Sequence, residues 1–195
     1  MWISRDQFVA LLDRAAGRDD IAISFDDGNA SDLEHALPAL RERGLSATFF
    51  VVAGRLGTPG FLDESAIGAL SAAGMEIGCH GMRHRPWRGL DERELHEELV
   101  EARTVIERAV GRPITRAACP FGSYDRRVLR TLRRCGYHHV YTSDRGVARS
   151  SDFLQARTSV GPSDGPALLD GIAALDSPTY KALGRRAKLA VKRWR

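Results

Sequence analysis

One pattern recurs along this chain of 195 residues: a short apolar run, a polar turn, then an amphipathic stretch at helical spacing that ends at a glycine. Residues 21–25 form the first run. Residues 30–43 follow, with Leu33, Ala36, Leu37 and Leu40 on one helical face and Gly44 as the stop. The pattern returns as a strand over 47–53, a helix over 64–73 ended by Gly74, and a strand over 75–79. Asp91 with Glu94 has the form of a capping box for a long helix that carries Leu95, Leu99, Ala102, Val105, Ile106 and Ala109 and ends at Gly111. Strands are then expected over 116–119, 138–142 and 153–160, with a helix over 126–134 stopped at Gly136. Ser4 and Gln7 form a second capping-box pattern ahead of Phe8, Leu11 and Leu12, so a short helix opens the chain. Strands alternating with helices predict an α/β fold of parallel strands joined by right-handed crossovers, as an open sheet or a barrel. Either architecture collects functional groups at the C-terminal ends of its strands.

That rule selects four segments for one rim. Asp26-Asp27-Gly28 follows the first strand, His80 the third, Pro120-Phe121-Gly122 the fourth and Ser143-Asp144 the fifth. Taken alone, Asp-Asp-Gly is a turn sequence. His80 and His84 share a face if their segment turns helically, a spacing that suits two metal ligands. A carboxylate pair and two imidazoles on one rim can hold a divalent cation and leave a carboxylate as base. Spacing does not decide which of Asp26 and Asp27 is ligand and which is base. His35, His96, His138 and His139 lie on expected helices or strands and read as structural or solvated, as do Glu97, Glu98 and Glu101.

Composition narrows the class. Apolar residues at 43% and charged residues at 28% are ordinary for a globular protein and exclude disorder of the whole chain. The length suits a single domain, and no stretch approaches the roughly 20 apolar residues of a membrane span. The opening residues are too charged for a signal peptide, which predicts a cytoplasmic protein. Cys79, Cys119 and Cys135 lack disulfide or zinc-knuckle spacing and read as reduced core residues. Residues 181–195 carry seven Lys and Arg and no acid, so with a total of +4 the first 180 residues carry −3. The body is therefore not a nucleic-acid binder.

Ser24-Phe25-Asp26-Asp27-Gly28, Ala47-Thr48-Phe49-Phe50-Val51, Gly78-Cys79-His80-Gly81-Met82-Arg83-His84 and Cys119-Pro120-Phe121-Gly122-Ser123-Tyr124-Asp125 together resemble the polysaccharide deacetylases, the NodB-homology domain or carbohydrate esterase family 4. The resemblance runs in order over residues 21–160. It implies a distorted, incomplete (β/α) barrel that hydrolyses the N-acetyl group of an amino sugar with one divalent metal. Zn²⁺ is favoured, and Co²⁺, Ni²⁺ and Mn²⁺ also suit such ligands. It further implies that Asp27, His80 and His84 are the metal ligands and Asp26 the catalytic base. The backbone N–H of Phe121 would support the oxyanion.

Three positions depart from the family pattern. Gly81 replaces the usual Ser or Thr after the first histidine, and Ala118 replaces an arginine that holds the catalytic Asp. Arg157, on the expected sixth strand near the rim, could reach back as a substitute. The family's late histidine, a general acid for the leaving amine, has no counterpart, since no histidine follows His139. Asp26, Asp144 or a water then supplies that proton, or the chain is a metal-containing glycan-binding relative with impaired turnover. A hydrolase of another amide or O-acetyl ester is a further alternative for the same site.

The domain is expected over residues 1–177, with a basic amphipathic tail over 178–195. In the tail Leu183, Ala187, Val191 and Trp194 share one helical face, opposite Lys181, Arg185, Lys188, Lys192 and Arg195. That pattern suits either peripheral contact with an anionic inner membrane surface or a terminal helix packed on the domain. Trp87 reads either as a ring for stacking on sugar or as packing beneath its loop.

Overall fold

The computed structural model describes residues 3–173. The proposed tail over 178–195 lies outside them. Six strands form one sheet in chain order: β1 (Ile23–Phe25), β2 (Ala47–Val51), β3 (Glu76–Cys79), β4 (Arg116–Ala118), β5 (His139–Thr142) and β6 (Leu154–Ala156). Every neighbouring pair is parallel. The first and sixth strands are shorter than the apolar runs suggest, because Ile23 already pairs with Ala47, where β2 begins, and β6 pairs only across Val140–Thr142.

The helices are α1 (Arg5–Ala15), α2 (Leu37–Glu42), α3 (Glu64–Ala72), α4 (Glu92–His96), α5 (Ala102–Val110), α6 (Arg126–Arg134) and α7 (Ala167–Ala173). A π-helical turn, Asp32–Ala36, leads into α2, and a second, Glu97–Glu101, joins α4 to α5. The expected capping box at Asp91 forms in full, since Asp91 accepts from the Glu94 N–H and Glu94 accepts from the Asp91 N–H. The one at Ser4 forms by half. Ser4 Oγ accepts from the Gln7 N–H, but the Gln7 amide donates instead to the carbonyls of Gly161 and Asp164 beyond β6.

Side-chain alternation sorts the strands into two layers. Phe49 and Val51 of β2, Ile77 and Cys79 of β3, Ala117 of β4 and Val140 of β5 face the helices and join Leu40, Ile67, Leu70, Leu99, Ile106 and Leu132 in the main core. The residues between them face inward. There Phe50 of β2 and Tyr141 of β5 touch, ring centroids 4.8 Å apart, although two strands separate them in the sheet. Arg157, just after β6, hydrogen-bonds to Ser24 and Asp26 at β1. Contacts between such distant strands on one face require a curled sheet. The first and last strands do not pair among the described residues, so the barrel is incomplete.

Candidate metal centre

The rim is built from turns whose backbones few residues tolerate. Among the described residues four non-glycine residues have positive φ, and three of them, Asp27 (79°), His84 (52°) and Phe121 (56°), are site residues expected from the sequence. Left-handed conformations persist in such residues only where their surroundings impose them, and they cluster at functional sites. After Asp27, Gly28 is also left-handed (φ 69°), and a Cβ there would lie 3.3 Å from Val51 Cγ1. The chain thereby turns directly off β1, with Asp26 and Asp27 projecting differently.

Asp27, His80 and His84 offer one ligand atom each, all within 4.8 Å of one another. His84 Nε2 is 3.3 Å from Asp27 Oδ1, and His80 Nε2 is 3.8 Å from Asp26 Oδ2. His80 Nδ1 lies 2.8 Å from the Ala118 carbonyl, which can only accept, so Nδ1 carries the proton and Nε2 keeps its lone pair. Burial lowers the pKa of both imidazoles, more than offsetting the carboxylates nearby, and favours the neutral form that binds metal. Two neutral imidazoles and a carboxylate suit Zn²⁺ and similar cations. The histidines do not meet through a helical turn, the condition under which their spacing alone would put them on one face. Their segment is a loop, bent by left-handed residues at Gly81 and His84.

Asp26 is gripped at both oxygens by Arg157, Nη1 to Oδ1 at 2.7 Å and Nη2 to Oδ2 at 2.8 Å. Burial alone would raise the Asp26 pKa, but the charge and hydrogen bonds of Arg157 outweigh it and hold the carboxyl below its ordinary value. The guanidinium also lies over the rings of Phe50 (5.2 Å) and Tyr141 (5.8 Å) inside the barrel. Arg157 thus reaches back to Asp26, the contact expected of it from the sequence. Phe121 stands at the rim with its side chain 69% exposed and its ring 4.7 Å from that of His84. Asp144 accepts a hydrogen bond from the buried Tyr124 hydroxyl at 2.7 Å.

Two residues were not anticipated from sequence. Arg55, in the turn after β2, donates to Asp27 Oδ1 at 3.1 Å and so places a cation beside the ligand cluster. Glu98 is 1% exposed, contrary to the solvated face expected for it. Its carboxylate accepts from the backbone N–H groups of Met82 and Arg83 and from Trp87 Nε1. The readable signal was its spacing, three residues after Leu95 and four before Ala102 on an otherwise apolar stripe. Trp87 is fully buried, which settles it as packing beneath the loop. His35, His96 and His138 are exposed, and Glu97 pairs with Arg83 at the surface. Cys79 is buried in the helix-side core, where burial raises its thiol to about 11, an inert state.

The family model for polysaccharide deacetylase matches residues 13–140, about two thirds of the chain. A chitooligosaccharide deacetylase of Bradyrhizobium sp. (strain ANU 289) is 28% identical over 130 residues, 66% of this chain and 58% of that protein. A chitin deacetylase of Pestalotiopsis sp. is 28% identical over 119 residues, 61% of this chain and 40% of that one. The chain spans about half the length of the curated relatives it matches. Among solved structures, the Streptococcus pyogenes deacetylase PplD, determined in complex with acetate, shares the fold with a TM-score of 0.78 at 18% identity, covering 87% of each chain. The matched span includes the Asp26-Asp27 turn, both loop histidines and the Phe121 turn, and on that ground this chain belongs to the polysaccharide deacetylase family.

Proposed function

We propose that this protein is a metal-dependent deacetylase that removes the N-acetyl group from an amino sugar in a polysaccharide or glycan precursor. The observation that carries this reading is the convergence of Asp27, His80 and His84 within 4.8 Å, beside an Asp26 carboxylate clamped by Arg157. The relatives described as chitin and chitooligosaccharide deacetylases support the substrate class. A divalent cation held by Asp27, His80 and His84, Zn²⁺ on donor chemistry, supplies Lewis acidity toward the amide carbonyl and acidifies water beside it.

This chain's residues divide the remaining work. Asp26 takes the proton of the attacking water at a carboxylate oxygen, and Arg157 keeps that carboxylate ionised and aimed. The Phe121 N–H donates to the substrate oxygen as the carbonyl carbon becomes tetrahedral. The leaving amine needs a proton. An Asp whose pKa is held down by Arg157 is a strong acid once protonated, so Asp26 returns the proton it accepted. Cytoplasmic placement with peripheral membrane contact through residues 178–195 belongs to the same proposal. Flotation with anionic liposomes tests it, and equal flotation without those residues removes it.

The absence of any histidine after His139 favours a second reading, a glycan-binding relative with impaired turnover. Acetate release from metal-loaded protein on N-acetylglucosamine oligomers, other N-acetylated glycans and O-acetylated xylan decides between them. Release from an N-acetylated member that disappears in Asp26→Asn is the expected result. Tight metal binding with no release from any member favours the binding relative, and release from xylan alone favours an esterase.

A further inference from the structure

The loop from His80 to Leu90 brings its two histidines to Asp27, while two of its backbone donors are taken up by Glu98. Between the histidines, the Met82 N–H donates to Glu98 Oε2 at 3.0 Å and the Arg83 N–H to Glu98 Oε1 at 3.1 Å, one bond to each oxygen. Trp87 Nε1, further along the same loop, adds a third bond to Oε2 at 3.3 Å. The opposite edge of the loop is tied by its carbonyls, Gly81 to the Ala53 N–H and Met82 to the Gly54 N–H, each at 2.9 Å. Glu98 itself is rooted in the π-helical turn Glu97–Glu101, between the core residues Leu95 and Ala102. Single widened turns of this kind are frequent at functional sites.

Gly81 and Glu98 fit one another closely. A Cβ on Gly81 would lie 2.2 Å from Glu98 Oε2 and 3.2 Å from Trp87 Nε1. The position directly after the first histidine is therefore reserved for the carboxylate. A side chain there could not coexist with Glu98 in its present place. A buried carboxylate that accepts three hydrogen bonds, two of them from the peptide groups between His80 and His84, restrains the separation and direction of both imidazoles.

We propose that Glu98 is the positioning residue of the metal centre: it sets the affinity of the Asp27, His80 and His84 cluster for a divalent cation by fixing the loop that carries both histidines, in the place a side chain at residue 81 would otherwise fill. This rests on the reading of that cluster as a metal site. Groups that orient metal ligands from behind typically account for 10–100-fold in affinity.

The test is Co²⁺ affinity by chelator competition, with the visible spectrum of bound Co²⁺ as a second readout. Glu98→Gln keeps the volume but sets an amide NH₂ against N–H donors. Its Co²⁺ affinity is expected to fall at least tenfold with altered visible bands, while far-UV circular dichroism of the metal-free protein is unchanged. Glu98→Asp, which keeps the charge, is expected to lie between Gln and wild type. Gly81→Ala is expected to lose at least tenfold in the wild-type background and under threefold in Glu98→Ala, because backbone strain is common to both and only the shortened side chain removes the clash. Wild-type affinity in Glu98→Gln, or equal losses from Gly81→Ala in both backgrounds, overturns the proposal. Should Glu98→Gln not fold, Trp87→Phe decides: a three- to tenfold weaker affinity supports the proposal and an unchanged one overturns it. A wild-type protein that binds no divalent cation defeats the metal reading itself, a distinct outcome.

Discussion

Asp26 is subject to two opposing influences, and the balance between them decides its protonation. Its dense surroundings favour the neutral acid, while the bidentate Arg157 favours the anion and prevails. Removing the guanidinium while keeping its bulk, in Arg157→Met, leaves burial unopposed, so the Asp26 pKa rises. The base form then becomes scarcer at neutral pH. Acetate release at pH 7 is expected to fall about 10- to 100-fold and to recover partly as pH is raised, with the acid limb of kcat/KM displaced upward. A pH profile superimposable on wild type would show that Arg157 does not govern this carboxylate. Asp32 presents the reverse case. It accepts from the Asn29 N–H behind the Asp26-Asp27 turn, and burial, helped by the charges of Asp27 and Asp26, raises it to about 7. Because its folded pKa lies above the unfolded one, the unfolded state ionises first as pH rises. Stability attributable to Asp32 is thus complete below about pH 4 and is lost as pH climbs to about 7. Asp32→Asn stays neutral throughout and can still accept from Asn29. In urea unfolding with chelator present, its advantage over wild type is expected to grow from pH 4.5 to pH 8, reaching on the order of a few kcal/mol. An advantage that does not change with pH would refute this.

Among the elements, the strands and helices were legible in the sequence because each has its own periodicity and its own stop. What was not legible is what depends on partners remote in the chain. The first strand begins only at Ile23, opposite Ala47 where β2 starts and first offers it a partner, and Gln7 abandons its capping box for carbonyls more than 150 residues away. At the site, the rim position of the Asp26-Asp27 turn, the histidine loop and the Phe121 turn followed from strand order alone. The loop that joins His80 to His84 did not, because its shape is imposed by Glu98 from another element. The barrel interior shows the same dependence. Gly78 on β3 faces Phe50 on β2, and a Cβ at Gly78 would lie 2.5 Å from two atoms of that ring. The ring cannot retreat, since Tyr141 packs against it with centroids 4.8 Å apart. Gly78→Ala is therefore expected to destabilise the protein by about 1–3 kcal/mol in urea unfolding. Adding Phe50→Leu, which vacates the contact, is expected to make the Gly78→Ala change less costly than it is alone. Additive effects would mean that the two residues do not collide.

For the molecule as a whole, the decisive region is the seam between the first and last strands. No ladder joins β1 to β6 among the described residues, so the curl is held by side chains that reach across. Arg157 reaches from the end of β6 to Ser24 and Asp26, Gln7 of α1 reaches the carbonyls of Gly161 and Asp164, and Arg14 and Arg18 reach Asp170 of α7. The arginine pairs with Asp170 are exposed and contribute little. The Gln7 bonds are partly buried, and losing both costs about 1–2 kcal/mol. That cost is local, because the strands from β2 to β5 keep their ladders and their helix-side core. In Gln7→Leu, hydrogen exchange is expected to quicken in α1 and in residues 157–170, with protection in β2 and β3 unchanged. The Asp26 carboxylate sits at this seam, so a loosened edge reaches it through Arg157, and on the proposed function acetate release is expected to fall while Co²⁺ affinity, which depends on β1 and β3, holds. Uniformly faster exchange across all six strands would instead mean that the seam and the sheet open as one unit, and that the incomplete barrel has no independent edge.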